Sequence, residues 1–139
     1  MNLKEIEEKA KVKVEYYEKI ESTHLYAKKI AGKKEDKILI AEEQTGGIGT
    51  KGRNWYTGKG KNIAMTIILH PDCKINKLEG LTVEIASKIK GAIYELYGYN
   101  LEIKEPNDLI LNNKKICGIL TEINTIRRKN KLFVNKFWI

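Results

Sequence analysis

Two asparagines, Asn112 and Asn113, stand alone between the apolar runs DLIL and KKICGIL. A connection that short joins antiparallel strands, because parallel neighbours need a crossover of about a dozen residues or more. Asparagine tolerates the positive φ that a two-residue hairpin demands. A purely parallel, doubly wound sheet is thereby excluded. Upstream, VKVEYYE alternates at its start and predicts a strand. STHLYAKKIAG predicts a short helix with Ser22 or Thr23 as N-cap and Gly32 as stop. DKILIAEEQ predicts a second strand. NIAMTIILH predicts a third, whose continuous apolar run implies cover on both faces, with Pro71 ending it. In KLEGLTVEIASKIKGAIYELYG, apolar residues fall at Leu78, Leu81, Ile85, Ile89, Ile93 and Leu96, the steps of an amphipathic helix. Gly98 is its stop. LEIKEPNDLIL predicts strand, break at Pro106, strand; KKICGILTEI predicts one return strand; KLFVNKFWI is a last apolar piece. The fold class is α+β, a mixed and mostly antiparallel sheet flanked by helices, in one domain over residues 1–139.

The length and a hydrophobic content of 42% suit a single core. No apolar run reaches the roughly 18 residues of a membrane helix. The start, MNLKEIEEKAK, lacks an apolar signal core, which predicts a cytoplasmic location. Cys73 and Cys117 show no metal-ligand spacing, and Cys117, inside an apolar run, is expected as a buried thiol. The net charge of +8 favours anionic partners. Many lysines are accompanied by glutamates in LKEIEEKAKVKVEYYEK, however, and the aromatic–basic interleaving of a nucleic-acid surface is missing. Neither a specific DNA partner nor a membrane is expected.

Two stretches concentrate chemistry. In QTGGIGTKGRNW, Gly47, Gly49 and Gly52 take the spacing of the dinucleotide fingerprint, but that pattern must open a helix. Here Arg53-Asn54-Trp55-Tyr56 leads to further glycines and a strand, and the lysine of a P-loop is absent. One reading is a glycine-rich hairpin loop. The other is an anion cradle, in which bare backbone amides are joined by the cations Lys51 and Arg53. Trp55 covers a ligand or caps the core. In KEPNDLILNNKKICG, Lys104, Asn107 and Asp108 gather at the break made by Pro106. Lys104 suits a phosphate and Asp108 a magnesium ion; the alternative is an ordinary Pro-Asn-Asp turn.

Together these stretches resemble a known family. AEEQTGGIGTKGRNW is similar to the biotin-binding loop of biotin protein ligases, KEPNDLILNNKKICGILTE to their Lys-Trp-Pro-Asn-Asp segment, and IESTHLYAKK to their early Ser-Thr-Asn motif, all in family order. The resemblance covers about Glu15 to Ile123. It implies a fold like that of the ligases and class II aminoacyl-tRNA synthetases. It also implies joining of biotin to ATP as biotinyl-5′-adenylate, then transfer to a lysine of a biotin carboxyl carrier domain. Carried over, Ser22, Thr23, His24 and Gln44 would meet biotin's ring. Gly47, Ile48, Gly49 and Thr50 would wrap its tail and the adenylate, with Trp55 and Asn62 lining the site. Lys104 and Arg53 would neutralise phosphate. Asn107 and Asp108 would engage ATP and its magnesium ion. Lys115 would lie near the biotin carboxylate, and Gly118 would admit the ligand close to backbone.

The resemblance also has departures. Ile48 and Thr50 stand where the family carries arginines, His24 where it carries asparagine, and Glu105 where it carries tryptophan. The Gly-x-Gly-x-Asn strand, the C-terminal barrel and the N-terminal DNA-binding domain of some members are expected to be lacking. Three readings stay open: a biotin–protein ligase, a biotin-binding or protein-interaction module of the same family, and a lipoate ligase-like enzyme. The apolar tail LFVNKFWI, with Phe133, Phe137 and Trp138, predicts a homodimer, since a shortened sheet leaves an unpaired edge.

Overall fold

In the computed structural model, residues 1–33, 35–49, 52, 54–126 and 129–137 are described, with backbone alone at 55, 56, 125, 126 and 129–137. The elements are α1 (Leu3–Ala10), β1 (Lys13–Ile20), α2 (Thr23–Ile30), β2 (Lys37–Ile48), β3 (Asn54–Thr57), β4 (Ala64–Leu69), α3 (Leu81–Tyr97), β5 (Glu102–Lys104), β6 (Asp108–Leu111), β7 (Lys114–Gly118), β8 (Leu120–Ile126) and β9 (Lys129–Phe137). A six-stranded sheet runs β1-β2-β4-β9-β8, with β3 on β2; a three-stranded sheet runs β5-β6-β7. Among the described residues only β1 and β2 pair in parallel, joined by α2 as the crossover; the other pairs are antiparallel. The mixed, mostly antiparallel α+β expectation is met.

Two hydrophobic layers hold the large sheet. On one face α2 sets Ala27 and Ala31 against Leu39 and Ile68, with Tyr17, Tyr26 and Ile30 beside them. Beyond the other face α3 packs Ala86 and Ile93 onto Leu101, Leu109, Cys117 and Ile119, and Met65, Ile67 and Leu69 of β4 join that cluster. Strand β4 is therefore covered on both sides, as its unbroken apolar run requires. Full burial of Leu109 or Ile119 contributes about 1.5–3 kcal/mol each. Thr82 Oγ1 donates to Thr121 Oγ1 at 2.9 Å, fastening α3 to β8. Ser22 is the N-cap of α2, its Oγ accepting from Leu25 N at 3.4 Å. Gly98, at φ 72°, closes α3. Among the described residues no helix is long and apolar enough to cross a membrane.

Several expectations are corrected. The glycine stretch does not leave the sheet after Gln44: β2 continues to Ile48, where Gly47 pairs with Trp55 and Ile48 with Asn54. Glycine has low strand propensity, and what holds the segment is the neighbouring strand together with Gly46 N donating to Glu21 O at 2.7 Å. The segment KKICGILTEI is not one strand, since it ends in the small sheet at Gly118 and resumes in the large sheet at Leu120. Leu78 lies in a 3-10 turn, Ile75–Leu78, and Gly80 at φ 75° separates it from α3. Helix α1 had no counterpart in the sequence reading; Asn2 caps it and Lys9 pairs with Glu5 at 2.7 Å. The C-terminal tail runs between β4 and β8, so that one sheet edge falls on β8. Trp138 lies outside the described residues, as do the side chains of Phe133 and Phe137. Cys117, by contrast, is fully buried as a thiol, as expected.

A charged cluster at the start of the β1–β2 pair makes folding pH-dependent. Glu15 accepts from Lys37 Nζ at 2.5 Å and from the Tyr17 hydroxyl at 2.6 Å. The Lys37 ammonium, and after it the Tyr17 hydroxyl, hold the Glu15 carboxyl below its ordinary 4.5. A depressed carboxyl contributes stability that is present above the unfolded value and is lost as pH falls through the folded one. Glu15→Gln is expected to melt roughly 1–4 °C lower than the parent at pH 7, allowing for solvent screening. The gap should narrow once pH falls below 4.5 and close as pH passes the lowered folded value. Thermal denaturation across a pH series from 7 into acid checks this, and a gap that does not narrow in acid contradicts it.

Candidate functional site

Strand β2 brings Gln44 under the first turn of α2. Gln44 Oε1 accepts from Thr23 N at 2.8 Å and from Thr23 Oγ1 at 3.0 Å. Thr66 Oγ1, on β4, donates to Thr23 Oγ1 at 2.8 Å. Gln44 Nε2 donates to Thr57 Oγ1, on β3, at 3.5 Å. Ser22, Thr23, Gln44, Thr57 and Thr66 are each at most 2% exposed. Four elements thus meet in one buried polar group beneath the glycine-bearing end of β2. Satisfied groups of this kind are rigid, because any partner lost leaves a costly orphan.

Beside it, His24 is buried, with Nε2 3.2 Å from Glu122 Oε1; Lys28 Nζ reaches Glu122 Oε2 at 2.9 Å. A carboxylate of β8 therefore binds the outer turn of α2. Asparagine in place of His24 is too short to reach as far, so the departure from the family pattern at this position has a local partner.

The second group lies on the small sheet. Lys104 sits directly opposite Asp108, and Asp108 opposite Gly118. Lys115 Nζ is 2.6 Å from Asp108 Oδ1, with side-chain exposures of 32% and 23%. The other face of this sheet carries Leu109 and Cys117, both fully buried under α3. One face is thus apolar and anchored, while the opposite face carries Lys104, Asp108 and Gly118 in one row and Glu102, Ile110 and Lys115 in the next, with Lys115 reaching back to Asp108. The Asn107 carbonyl accepts from Ile119 N at 2.7 Å, which fixes the turn at Pro106 to the end of β7.

The sequence-predicted residues divide between these groups. Ser22, Thr23 and Gln44 converge, with His24 adjacent; Lys104, Asn107, Asp108, Lys115 and Gly118 converge on or beside the small sheet. Gly47, Ile48 and Gly49 lie at the far end of β2, and Asn62 precedes β4. Thr50, Lys51 and Arg53 lie outside the described residues, as does the side chain of Trp55, whose backbone faces Gly47. Sequence reasoning missed Thr57, Thr66 and Glu122. Thr66 carried a signal, being the one hydroxyl inside the apolar run AMTIIL. Thr57 and Glu122 carried none, because only the sheet register and the packing of α2 bring them in.

Among the described residues no group of three or more His, Cys, Asp and Glu side chains could hold a metal ion. Asp108, the residue expected to bind magnesium, faces an ammonium group instead. The donor set does not fit a magnesium ion held by the protein alone, which wants an oxygen-rich shell.

Known proteins share this arrangement of strands and helices. Residues 16–135 match the Biotin/lipoate A/B protein ligase family. The chain is 36% identical over 110 residues to the bifunctional ligase/repressor BirA of Bacillus subtilis, covering 78% of this chain and 34% of that protein. Among solved structures it resembles the Aquifex aeolicus biotin protein ligase in complex with biotin and ATP, with a TM-score of 0.73, 23% identity and coverage of 89% of this chain and 51% of that one. It also resembles the Leishmania major biotin protein ligase in complex with biotinyl-5-AMP, with a TM-score of 0.71, 26% identity and coverage of 89% and 56%. The chain thus spans about a third of the length of the first curated relatives it matches. The family match over most of the sequence and the shared fold agree with the converging polar groups: this chain belongs to the Biotin/lipoate A/B protein ligase family.

Proposed function

We propose that the chain is a biotin–protein ligase that uses ATP. The observation that carries this reading is the outer face of the small sheet, where Lys104 and Lys115 flank Asp108 and Gly118. Joining a carboxylate to a phosphate brings anion against anion, and fixed cations are what that step lacks in water. The buried group of Thr23, Gln44, Thr57 and Thr66 offers amide and hydroxyl partners, the chemistry that a cyclic urea such as biotin's ring requires. Membership in the ligase family and the likeness to proteins solved with biotin, ATP and biotinyl-5-AMP support it.

A carboxylate oxygen of biotin attacks the α-phosphorus of ATP. A P–O bond forms, the bond to the β-phosphate breaks, and pyrophosphate leaves with its electron pair. Lys115 steadies the attacking carboxylate and Lys104 the phosphate. In the second step the amine of a carrier-domain lysine attacks the acyl carbon. An amide forms, AMP leaves, and the amine's proton passes to solvent. Asn107, whose carbonyl accepts from Ile119 N, orients the nucleotide. The carrier is a biotin carboxyl carrier domain of a carboxylase.

A second reading, a binding module that holds biotin without ligating it, is favoured by Ile48. This apolar side chain ends β2 where a cation would serve the adenylate. The two separate when the chain is incubated with biotin, radiolabelled ATP and a purified carrier domain. The ligase reading expects labelled biotinyl-adenylate and a biotinylated carrier. Calorimetric biotin binding without either product supports the module instead, and lipoate substituting for biotin with equal yield supports a lipoate ligase.

A further inference from the structure

Lys115 and Gly118 are three residues apart on β7, so a regular pleat would set them on opposite faces of the small sheet. They share one face instead. From the open end, Asp108 pairs with Gly118 and Leu109 with Cys117; then the register shifts, and Ile110 pairs with Lys115 and Leu111 with Lys114. Ile116 is the extra residue, a β-bulge. It joins the apolar cluster that contains Cys117, so that two consecutive side chains turn towards α3. Without the bulge the hairpin has two choices. With the register of the Asn112–Asn113 turn, Cys117 leaves the core for the charged face. With the register of Gly118, Lys115 turns to the core face opposite Leu111. Bulges recur where a side chain must be re-aimed.

The re-aimed ammonium then meets Asp108 at 2.6 Å. Of the lysine neighbours of Asp108 in the register, Lys104 opposite on β5 and Lys115 diagonal on β7, it is Lys115 that makes the ion pair. A long exposed side chain otherwise samples many rotamers, and a carboxylate at ion-pair distance holds the ammonium in few of them. Gly118, opposite Asp108, adds no side chain to the face. We propose that Asp108 and the bulge at Ile116 form a positioning device for Lys115, which holds its ammonium beside Gly118 ready for a carboxylate ligand. The inference rests on the biotin reading. It gives Asp108 a role acting through Lys115 rather than through a metal ion.

The test uses the full chain and its Asp108→Asn and Asp108→Glu variants. First, without ligand, acetylation of Lys115 by acetic anhydride is followed by mass spectrometry. Asp108→Asn is expected to react several-fold faster, and Asp108→Glu close to the parent. Second, calorimetry compares biotin with biotinamide, which lacks the carboxylate. In the parent biotin binds more tightly. Asp108→Asn is expected to cut the biotin-to-biotinamide affinity ratio about tenfold, while Asp108→Glu restores most of it. Unchanged Lys115 reactivity in Asp108→Asn overturns the proposal, as does an equal loss for both ligands, which marks a merely structural role. A parent chain that binds neither ligand overturns the biotin reading and the ligand assignment with it. That result is separable, because the acetylation rates report the hold on Lys115 independently.

Discussion

Gln44→Ala is expected to melt about 10 °C below the parent chain and to lose biotin binding in the same step. Gln44 Oε1 is the acceptor for both Thr23 N and Thr23 Oγ1, at a place where Thr23 is completely buried. Truncation orphans two donors at once, at about 1–3 kcal/mol each, and opens a small cavity. Thr57 Oγ1 loses its amide donor as well. A total near 3 kcal/mol corresponds to roughly 10 °C in a domain of this size. Because the same amide lies among the groups proposed to meet the biotin ring, affinity should fall by at least about 100-fold, two lost hydrogen bonds at tenfold each. Differential scanning calorimetry and biotin titration check the pair. A variant that melts with the parent would show that the Thr23–Gln44 contact is not holding α2 to the sheet.

Lys104→Ala should do the opposite, sparing stability and removing chemistry. Lys104 is exposed at the end of β5, so its loss should move the melting temperature by no more than about 2 °C. It pairs with Asp108 in the strand register, on the charged face. If it meets the phosphate in the adenylation step, biotin-dependent pyrophosphate release should fall by about 100- to 1,000-fold, the usual cost of one charge-stabilising donor at a reacting centre. Lys114→Ala is the matched control. It is an equally exposed lysine on the same hairpin, but it pairs with Leu111 rather than with Asp108. Equal losses in the two variants would mean that only net positive charge matters and that Lys104 has no specific place in the reaction.

Local patterns were legible in the sequence; features that depend on neighbours were not. The hairpin at Asn112 and Asn113 was readable because positive φ at two adjacent residues, 50° and 61° here, is a property of those residues alone. Helix α3 was readable from its 3.6-residue period, and the Ser22 cap from residue type. The continuation of β2 through Gly46 and Gly47 was not, since bare backbone is held in the sheet only by β3 and by Glu21. Nor was the break at Ile119, where an apolar run passes from one sheet to another and the lone Gly118 reads equally well as a residue inside one continuous strand. The candidate site followed the same rule. Ser22, Thr23, Gln44, Lys104, Asn107, Asp108, Lys115 and Gly118 came from stretches with a recognisable pattern. The bulge that puts Lys115 and Gly118 on one face was hidden, because KKICG permits alternation in either phase.

The single residue between β7 and β8 sets where this fold can change length. Ile119 is a spacer without slack, fully buried and bonded to Asn107. One inserted residue there would turn every β8 side chain over, because the pleat has a period of two. Glu122 would swing away from His24 and Lys28, and Ile123 would leave the apolar layer beneath α3. The turns at 58–63 and 70–80 pass between elements over mostly exposed ground and impose no such parity. Peptide tags and length variation between relatives belong in those turns, while residues 114–126 behave as a ruler whose count is fixed.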